Sequence, residues 1–316
     1  MAGKNVYIVL LLSFLVYIAG CNSADNVTFT RSNNQIEVRH DTRLVTSYIY
    51  GDQLAKPFLF PVMSPSGIMV NRGFPVVKDI KGESTDHLHH TGLFFAYDQV
   101  NKNDFWENSA PPPQIKHVKV LKMDDNELVT LIHWVNNVGT SILAETRKMS
   151  FTVSQKQYVI DFDIELEAMT KNVGFGDTKE GLFAIRVADW LREDKGNATY
   201  LSSENVETAG VIWGKRAKWV RLEGQKDGKT LGIAMLNHPE SINYPTFWMV
   251  RSYGLFSANP LGQYYFQSFL KVADAERFGL VLAPGENAEF KFRVIVYEGQ
   301  MDFKQMQKAF ERYAGN

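Results

Sequence analysis

Residues 158–168 alternate strictly between apolar and acidic side chains. The apolar set is Ile160, Phe162, Ile164 and Leu166, and the acidic set is Asp161, Asp163, Glu165 and Glu167. A period of two residues is typical of a strand with one face buried and the other in water. The segment therefore predicts a sheet with a solvated acidic face. We favour this over a metal site because alternation alone places carboxylates in a row.

Short segments of the same character recur along the chain, separated by turn residues. Further strands are predicted at residues 35–39, 45–50, 117–123, 128–135, 145–153, 182–188, 230–236 and 289–297. Many short strands without intervening helices favour an all-β antiparallel sandwich over a doubly wound fold. One C-terminal helix is predicted, with Asp302 as its cap and Gln305 three residues later, and we expect it to plug an end of the sheet.

The first twenty residues have the composition of an export signal. Lys4 precedes an apolar run at 6–19, and Ala19 and Gly20 stand directly before Cys21, the single cysteine. A charged start, a short apolar stretch and small residues before a cleavage point are typical of signal peptides. The run is shorter than the ~20 residues of a membrane-spanning helix. This segment resembles a bacterial lipobox, which implies that Cys21 is acylated and holds the protein in the bacterial cell envelope.

This interpretation divides the chain into a signal peptide at 1–20, a polar tether at 21–26 and one β-sandwich domain at 27–316. The membrane is then contacted only through lipidated Cys21. The 34 Lys and Arg residues nearly balance the 35 Asp and Glu residues. Nucleic-acid binding needs clustered Lys and Arg, and no such block is present, so we expect no nucleic-acid partner.

The densest group of chemically active residues is the run Asp86, His87, Leu88, His89, His90, Thr91 and Gly92. In an extended chain His87 and His89 point to one face and His90 to the other. Neutral imidazoles can bind a divalent metal, for which His87 and His89 are the candidate ligands, or they can transfer protons near neutral pH. The pattern predicts a functional site and leaves both chemistries open, with no cofactor assigned.

Two further residues are candidates for a second proton-transfer group. Glu180 opens the strand predicted at 182–188, although a surface ion pair explains it slightly better. His238 lies among prolines and aromatic residues, where a buried core histidine explains it as well as a catalytic one. Planar hydrogen-bonding groups mixed with aromatic rings are typical of sugar sites. The candidate substrate-binding residues are Asn71, Arg72, Asp86, Trp106, Arg186, Trp213, Trp248, Arg251 and Asn259.

Several of these segments resemble a family of bacterial proteins of uncertain function that carries a methane-oxygenase nickname. The resemblance is carried by residues 57–75, 86–92, 98–106, 213–215 and 245–260, and so covers nearly the whole mature chain. The nickname does not suit the sequence, because a membrane methane oxygenase needs several membrane spans.

A more distant resemblance is to the aldose 1-epimerases, or galactose mutarotases. It is carried by Asn71-Arg72, by residues 86–89 and by residues 282–286. The resemblance implies a large antiparallel β-sandwich with a sugar site on its concave sheet, and chemistry by a histidine acid and a glutamate base. His89 or His90 would match the substrate-binding histidine. The expected glutamate is matched only by Glu276, in a different context, and Asn237-His238 matches the catalytic pattern weakly.

Together these observations predict an exported, lipid-anchored enzyme that performs acid–base chemistry on a sugar or glycoside, as an epimerase, lyase or hydratase. Two alternatives remain. The first is a non-catalytic glycan-binding lipoprotein, in which replacing His89 would lower only the affinity for the glycan, whereas in an enzyme it would remove turnover. A non-haem iron oxygenase would use His87, His89 and a carboxylate as iron ligands.

Overall fold

We analysed a computed structural model that describes residues 26–108, 110–196 and 198–315. The predicted signal peptide and Cys21 lie outside these residues. The strands are β1 (Val27–Ser32), β2 (Gln35–His40), β3 (Arg43–Ile49), β4 (Phe58–Val62), β5 (Leu93–Tyr97), β6 (Gln114–Asp124), β7 (Glu127–Val135), β8 (Ser141–Val153), β9 (Gln157–Ala168), β10 (Val173–Gly174), β11 (Gly181–Arg186), β12 (Ala198–Ser202), β13 (Trp219–Lys226), β14 (Lys229–Asn237), β15 (Phe247–Val250), β16 (Leu255–Asn259), β17 (Val281–Leu282) and β18 (Asn287–Glu298). The helices are α1 (Ala209–Ile212), α2 (Gln263–Phe269) and α3 (Phe303–Tyr313), with 3₁₀ turns at Asp189–Leu191 and Glu193–Lys195.

Two eight-stranded sheets contain most of these strands, and every strand pairing within them is antiparallel. Sheet I has the order β1-β2-β3-β4-β5-β11-β16-β15, and sheet II has the order β12-β13-β14-β18-β9-β8-β7-β6. Their facing sides meet in one hydrophobic core, where Phe183 of sheet I stacks on Phe292 of sheet II at 4.7 Å between ring centroids. The predicted all-β antiparallel sandwich is therefore confirmed.

Strand β9 shows why the alternating sequence forms this sheet. Ile160, Phe162 and Ile164 are buried in the core between the sheets, whereas Asp161 and Asp163 are partly exposed on the other face. On that face Asp161 accepts hydrogen bonds from Arg293 of β18, and Asp163 lies 3.5 Å from Lys148 of β8. The acidic row lies on the solvated face of the sheet, as predicted, and Asp161 and Asp163 form cross-strand ion pairs there.

The C-terminal helix is confirmed, but its predicted location is wrong. The Asp302 side chain accepts a hydrogen bond from the Gln305 backbone, and the Gln305 side chain bonds back to the Asp302 backbone, which completes a capping box. Met306 and Phe310 pack with side chains of β13, β14 and β18 that point away from the main core. Helix α3 therefore covers part of the outer face of sheet II and does not plug its end. The reason is that its apolar stripe matches apolar outward positions on those strands.

Sheet I is covered on both faces at its centre. Every residue of β5, β11, β15 and β16 is buried. The long connections that carry residues 63–92 and 98–108 lie over the outer face. Continuous burial removes the alternating pattern, and β5, β15 and β16 were not predicted from the sequence. None of the helices in the described part of the chain is long and apolar enough to span a membrane.

Candidate functional site

The histidine segment forms a tight turn rather than a strand. The His90 backbone N–H donates to the His87 carbonyl oxygen at 3.1 Å, and His87 has a φ of 47°. As a result the His87 and His90 rings stack with centroids 4.8 Å apart, and His89 meets His90 edge-on at 4.3 Å. The prediction that His90 points away from the other two was wrong, because strand alternation does not apply to a turn.

Two buried guanidinium groups hold this turn in place. Arg72 donates to Asp86 Oδ1 at 2.6 Å and to the carbonyl oxygens of His87 and His90 at 2.9 and 3.3 Å. Arg186 at the end of β11 donates to the same Asp86 oxygen at 2.9 Å. Burial acts to raise the pKa of Asp86, but Arg186 and the hydrogen bond with His87 outweigh burial and lower it. Asp86 is therefore a carboxylate at neutral pH.

Asp86 also orients His87. Its Oδ2 atom lies 2.8 Å from His87 Nδ1, so the carboxylate accepts the proton carried by that nitrogen. This contact leaves His87 Nε2 as the proton acceptor, in the arrangement by which carboxylates prepare catalytic histidines. The backbone of His87 is in the left-handed region, which costs free energy in a non-glycine residue and is concentrated at functional sites.

The other two histidines are neutral over a wide pH range. Burial, together with the positive charges of Lys56, Arg72 and Arg186, lowers the pKa of His89 to about 3. His90 is fully buried, and burial lowers its pKa further below the usual range. Among the described residues, the His89 ring makes no hydrogen bond, so both of its nitrogens are available to a ligand.

The three histidines line one wall of a cleft of about 290 Å³ on the outer face of sheet I. Lys179 and Glu180, which form an ion pair with each other, come from the segment before β11. Arg251 and Tyr253 come from the turn between β15 and β16. The remaining lining residues are Glu107, Met249 and Leu255. The cleft thus combines proton acceptors, carboxylates, cations and a small apolar floor.

Asn259 was predicted to bind substrate, but it positions the Glu180 segment instead. Its Nδ2 atom donates to the carbonyl oxygens of Thr178 and Lys179, both at 3.0 Å. Its Oδ1 atom accepts from the backbone N–H groups of Leu261 and Gly262. The side chain is fully buried, and these four bonds use its hydrogen-bonding capacity.

Three other predicted substrate-binding residues are also buried in the protein. Asn71 accepts from the Val62 backbone at 2.6 Å, and the Trp248 indole donates to the Ala217 carbonyl oxygen at 2.9 Å. Trp106 packs against His90, with ring centroids 6.0 Å apart. None of the three lines the cleft, so the structure gives them supporting roles. Trp213 is likewise nearly buried, and it contacts the cleft through Arg251, whose guanidinium carbon lies 5.0 Å from its ring centroid.

His238 lies in a different part of the molecule. It follows β14 of sheet II, its ring packs edge-on against Tyr313 of α3 at 4.8 Å, and its Nδ1 atom accepts from the Glu240 backbone. The prediction that His238 supplies the second proton-transfer group was wrong, because His238 follows β14 of sheet II and does not line the cleft on sheet I. Glu180 is the predicted group that reaches the cleft.

The metal hypothesis finds no matching ligand set. Within residues 26–108, 110–196 and 198–315, no three or more His, Cys, Asp and Glu side chains are grouped so that they could hold a metal ion. His87 Nδ1 is engaged by Asp86, and the ring of His89 is edge-on to that of His87 with centroids 5.7 Å apart. The described residues therefore show no grouped three-ligand set such as the iron site of an oxygenase needs, and a metal at His87 and His89 stays a prediction.

Sequence reasoning missed several residues of this site. Lys56 is buried beneath the cleft, where its ammonium donates to the carbonyl oxygens of Phe105 and Trp106, and burial lowers its pKa to about 7. A lysine beside an apolar run is normally exposed, so the sequence carried no signal of this location. Glu107 directly follows Trp106, and Tyr253 lies two residues after Arg251. This closeness to predicted site residues was the only sequence signal for either of them.

Comparison with known proteins places the chain in a family without assigning an activity. Residues 35–311 match the model of a family of unknown function (DUF6807), and the chain belongs to that family. The family description supports no oxygenase function, so the methane-oxygenase resemblance stays a prediction. A search of curated proteins found no match.

Solved structures show remote similarities. A putative aldose 1-epimerase from Escherichia coli K12 is 10% identical, with a TM-score of 0.37, over 87% of this chain and 99% of that one. An aldose epimerase homologue from C. elegans is 7% identical, with a TM-score of 0.33, over 88% and 99%. A polysaccharide lyase is 13% identical, with a TM-score of 0.32, over 90% of this chain and 34% of that one. Sequence identities and TM-scores this low carry no functional argument, so the function has to be argued from the residues of this chain.

Proposed function

We propose that this member of the DUF6807 family is a carbohydrate-active enzyme that transfers protons to and from a sugar or glycoside, as an epimerase, lyase or hydratase. The observation that carries the proposal is the Asp86–His87 pair. It is held by two buried arginines and adjoins a cleft that also contains neutral His89 and Glu180.

In this mechanism His87 is the general base. Its Nε2 atom accepts a proton from the substrate, and the Asp86 carboxylate stabilises the imidazolium that forms. Glu180, from the segment before β11, is the second group and exchanges a proton with the substrate from another wall of the cleft. Epimerisation, elimination and hydration each need one group that removes a proton and another that delivers one, which this arrangement supplies.

The lining of the cleft suits a sugar. A sugar ring has a rim of hydroxyl groups, and the cleft is lined mainly by charged and polar side chains that can bond to them. Carboxylates such as Glu107 and Glu180 accept hydrogen bonds from hydroxyl groups, and Lys179 and Arg251 donate them. The volume of about 290 Å³ accommodates a single sugar unit of a longer chain or a free monosaccharide.

The proposal includes export and lipid anchoring through Cys21. The support is the sequence alone: a charged start, an apolar run and small residues before a single cysteine. Replacement Cys21→Ala is expected to move the protein from the membrane fraction to the soluble fraction of the bacterial cell. A variant that stays membrane-bound would contradict the anchor.

The activity is tested by incubating the protein in D₂O with a panel of monosaccharides and glycosides, followed by ¹H NMR and mass spectrometry. Epimerisation, elimination and hydration each change the spectrum or the mass of the sugar. For a substrate that is turned over, His87→Ala and Asp86→Asn are expected to lower kcat by ~10²–10⁴-fold.

His238→Ala is the matched control, because His238 lies outside the cleft, and it is expected to keep the activity of the parent. A cleft that binds a sugar but leaves it unchanged, with His87→Ala lowering only affinity, would instead identify a glycan-binding protein. Turnover that survives both His87→Ala and Asp86→Asn in folded protein would disprove the assigned mechanism.

A further inference from the structure

Arg251 is held at the cleft without a charged partner. Its guanidinium carbon lies 5.0 Å from the ring centroid of Trp213, which fixes the group by a cation–π contact. Within the described part of the chain, the guanidinium makes no hydrogen bond and no ion pair. The N–H donors of Arg251 are therefore available to a ligand. By contrast, Arg72 donates to Asp86 and to backbone carbonyl oxygens, and Arg186 donates to Asp86.

Trp213 is itself a fixed support. It is nearly buried, and the rings of Phe266 and Phe269 pack against it edge-on at 5.4 and 4.4 Å. The backbone of Arg251 is also fixed, since its N–H donates to the Leu255 carbonyl oxygen at 2.8 Å and its carbonyl oxygen accepts from Gly254. A guanidinium held by its backbone and by an aromatic ring loses little freedom when it binds an anion.

The charges of the cleft are divided between its walls. Glu107 lines the cleft, and burial together with the nearby Asp104 raises the pKa of Asp98. Lys179 is already paired with Glu180. Arg251 is thus the cation at which a negative group of a ligand meets attraction without an internal carboxylate competing for it.

We propose that the cleft takes a sugar acid, whose carboxylate forms a bidentate pair with Arg251 while its hydroxyl groups bond to Glu107 and Glu180. This inference rests on the proposed function and specifies its substrate class. Arg–carboxylate pairs are among the strongest hydrogen bonds in proteins and match in planar geometry.

The electrostatics of the histidines agree with an acidic ligand. Burial and neighbouring cations lower the pKa of His89 to about 3, which makes it a weak base in the free protein. A bound carboxylate brings a negative charge into the same cleft and raises the pKa of His89. An acidic ligand would therefore make His89 a stronger base as it binds, whereas a neutral sugar would not.

The test is a comparison of sugar pairs that differ only at C6, with binding followed by calorimetry on the full-length protein. The pairs are glucuronate with glucose, galacturonate with galactose, and mannuronate with mannose, together with short oligosaccharides of the same sugars. At least one acid is expected to bind ~10–100-fold more tightly than its neutral partner, the range of a charge-assisted hydrogen-bonded pair.

Arg251→Gln is expected to remove this preference. It should weaken binding of the acid by ~10-fold or more and leave the neutral sugar within about 2-fold. The matched control is Arg277→Gln, since Arg277 also lies over an aromatic ring, 4.7 Å from the centroid of Tyr264, but does not line the cleft. The control is expected to keep the preference of the parent.

Equal affinity for acid and neutral partners, absence of binding by every acid, or an equal loss of both sugars in Arg251→Gln would each overturn the inference. These results are distinct from failure of the proposed function. If neutral sugars are turned over in a manner that depends on His87, the enzyme assignment holds and the acidic substrate is wrong. If acids bind through Arg251 but no sugar is changed, the ligand class holds and the enzyme assignment is wrong.

Discussion

Sheets I and II have the same number of strands but use their outer faces differently. The outer face of sheet II carries cross-strand ion pairs in contact with water, and elsewhere the helix α3. The outer face of sheet I is covered by long connections that bury Arg72 and Arg186 and place His87, His89 and His90 around a cleft. Lys148 and Asp163 on the outer face of sheet II are solvated, whereas Arg72 and Arg186 on sheet I are desolvated and held by fixed partners.

The difference shows how the same residue types serve different purposes. Lys148 and Asp163 on sheet II are 41% and 45% exposed, and water screens their attraction. Arg72 is completely buried and its partners are fixed by the fold, so its interactions are strong and geometrically specific.

The largest expected effect is that of Arg72→Ala. The substitution leaves Asp86 short of one partner and removes the donor to the carbonyl oxygens of His87 and His90. We expect the free energy of unfolding to fall by about 3–5 kcal/mol, the cost of breaking a buried charge interaction. Urea denaturation followed by tryptophan fluorescence measures the free energy of unfolding. A loss below about 1 kcal/mol would show that Arg72 does not hold the histidine turn in place.

The next effect compares two glycines with left-handed backbones. Gly92, with a φ of 60°, follows the histidine turn, and a Cβ there would overlap the Leu59 carbonyl oxygen. Gly139, with a φ of 82°, lies in the β7–β8 hairpin of sheet II and has open space around it. Gly92→Ala is expected to cost about 3 kcal/mol because backbone atoms must move, and Gly139→Ala about 1 kcal/mol from backbone strain alone.

Thermal denaturation of the two glycine variants gives the comparison directly. Equal losses would mean that the approach of β4 to the histidine turn is loose, and they would weaken the argument that the cleft is rigidly formed.

A smaller effect is expected from pH. His89 and His90 have folded-state pKa values far below the ~6.5 of an unfolded chain, so the unfolded state binds more protons below pH 6.5. Stability is therefore fully present above about pH 6.5 and is lost as the pH falls toward 3. We expect the free energy of unfolding to fall as the pH drops from 6 to 4, by up to ~1.4 kcal/mol per pH unit for each of the two protons.

The double variant His89→Gln/His90→Gln is expected to have a shallower slope in denaturation measured between pH 8 and 4. Part of the slope should remain, because burial also lowers the pKa of His117 on β6 to about 4. At pH 8 His89 and His90 are neutral in both the folded and the unfolded state, so the difference in the free energy of unfolding there gives the pH-independent cost of the two substitutions. An unchanged slope would show that the cleft histidines are not desolvated.

The smallest effect is expected on sheet II. Lys148→Ala removes a half-exposed lysine from the charged face, where it pairs with Glu127 and Asp163. The change in the free energy of unfolding is expected to stay below about 0.5 kcal/mol, and turnover should be unchanged. A loss as large as that of Arg72→Ala would remove the distinction between the two outer faces.

Sequence reasoning was most successful where the determining interactions are local. Strand β9 was predicted from its alternation, and α3 from its capping box, because each depends on neighbours within a few residues. The histidine run was correctly singled out as a cluster, but its shape was not predicted. The turn is imposed by Arg72, which lies 14 residues before Asp86 and binds three of its carbonyl oxygens.

The sequence by itself determined a β-sandwich with a capped C-terminal helix and marked His87, His89 and His90 as the place for chemistry. The tertiary structure alone decided which other residues join them. It brought Glu180 and Arg251 to the cleft and left His238 on the far sheet, because the order β5-β11-β16-β15 sets which strand ends are neighbours. It also buried Lys56 and Arg72, since only the packed connections over sheet I exclude water from them.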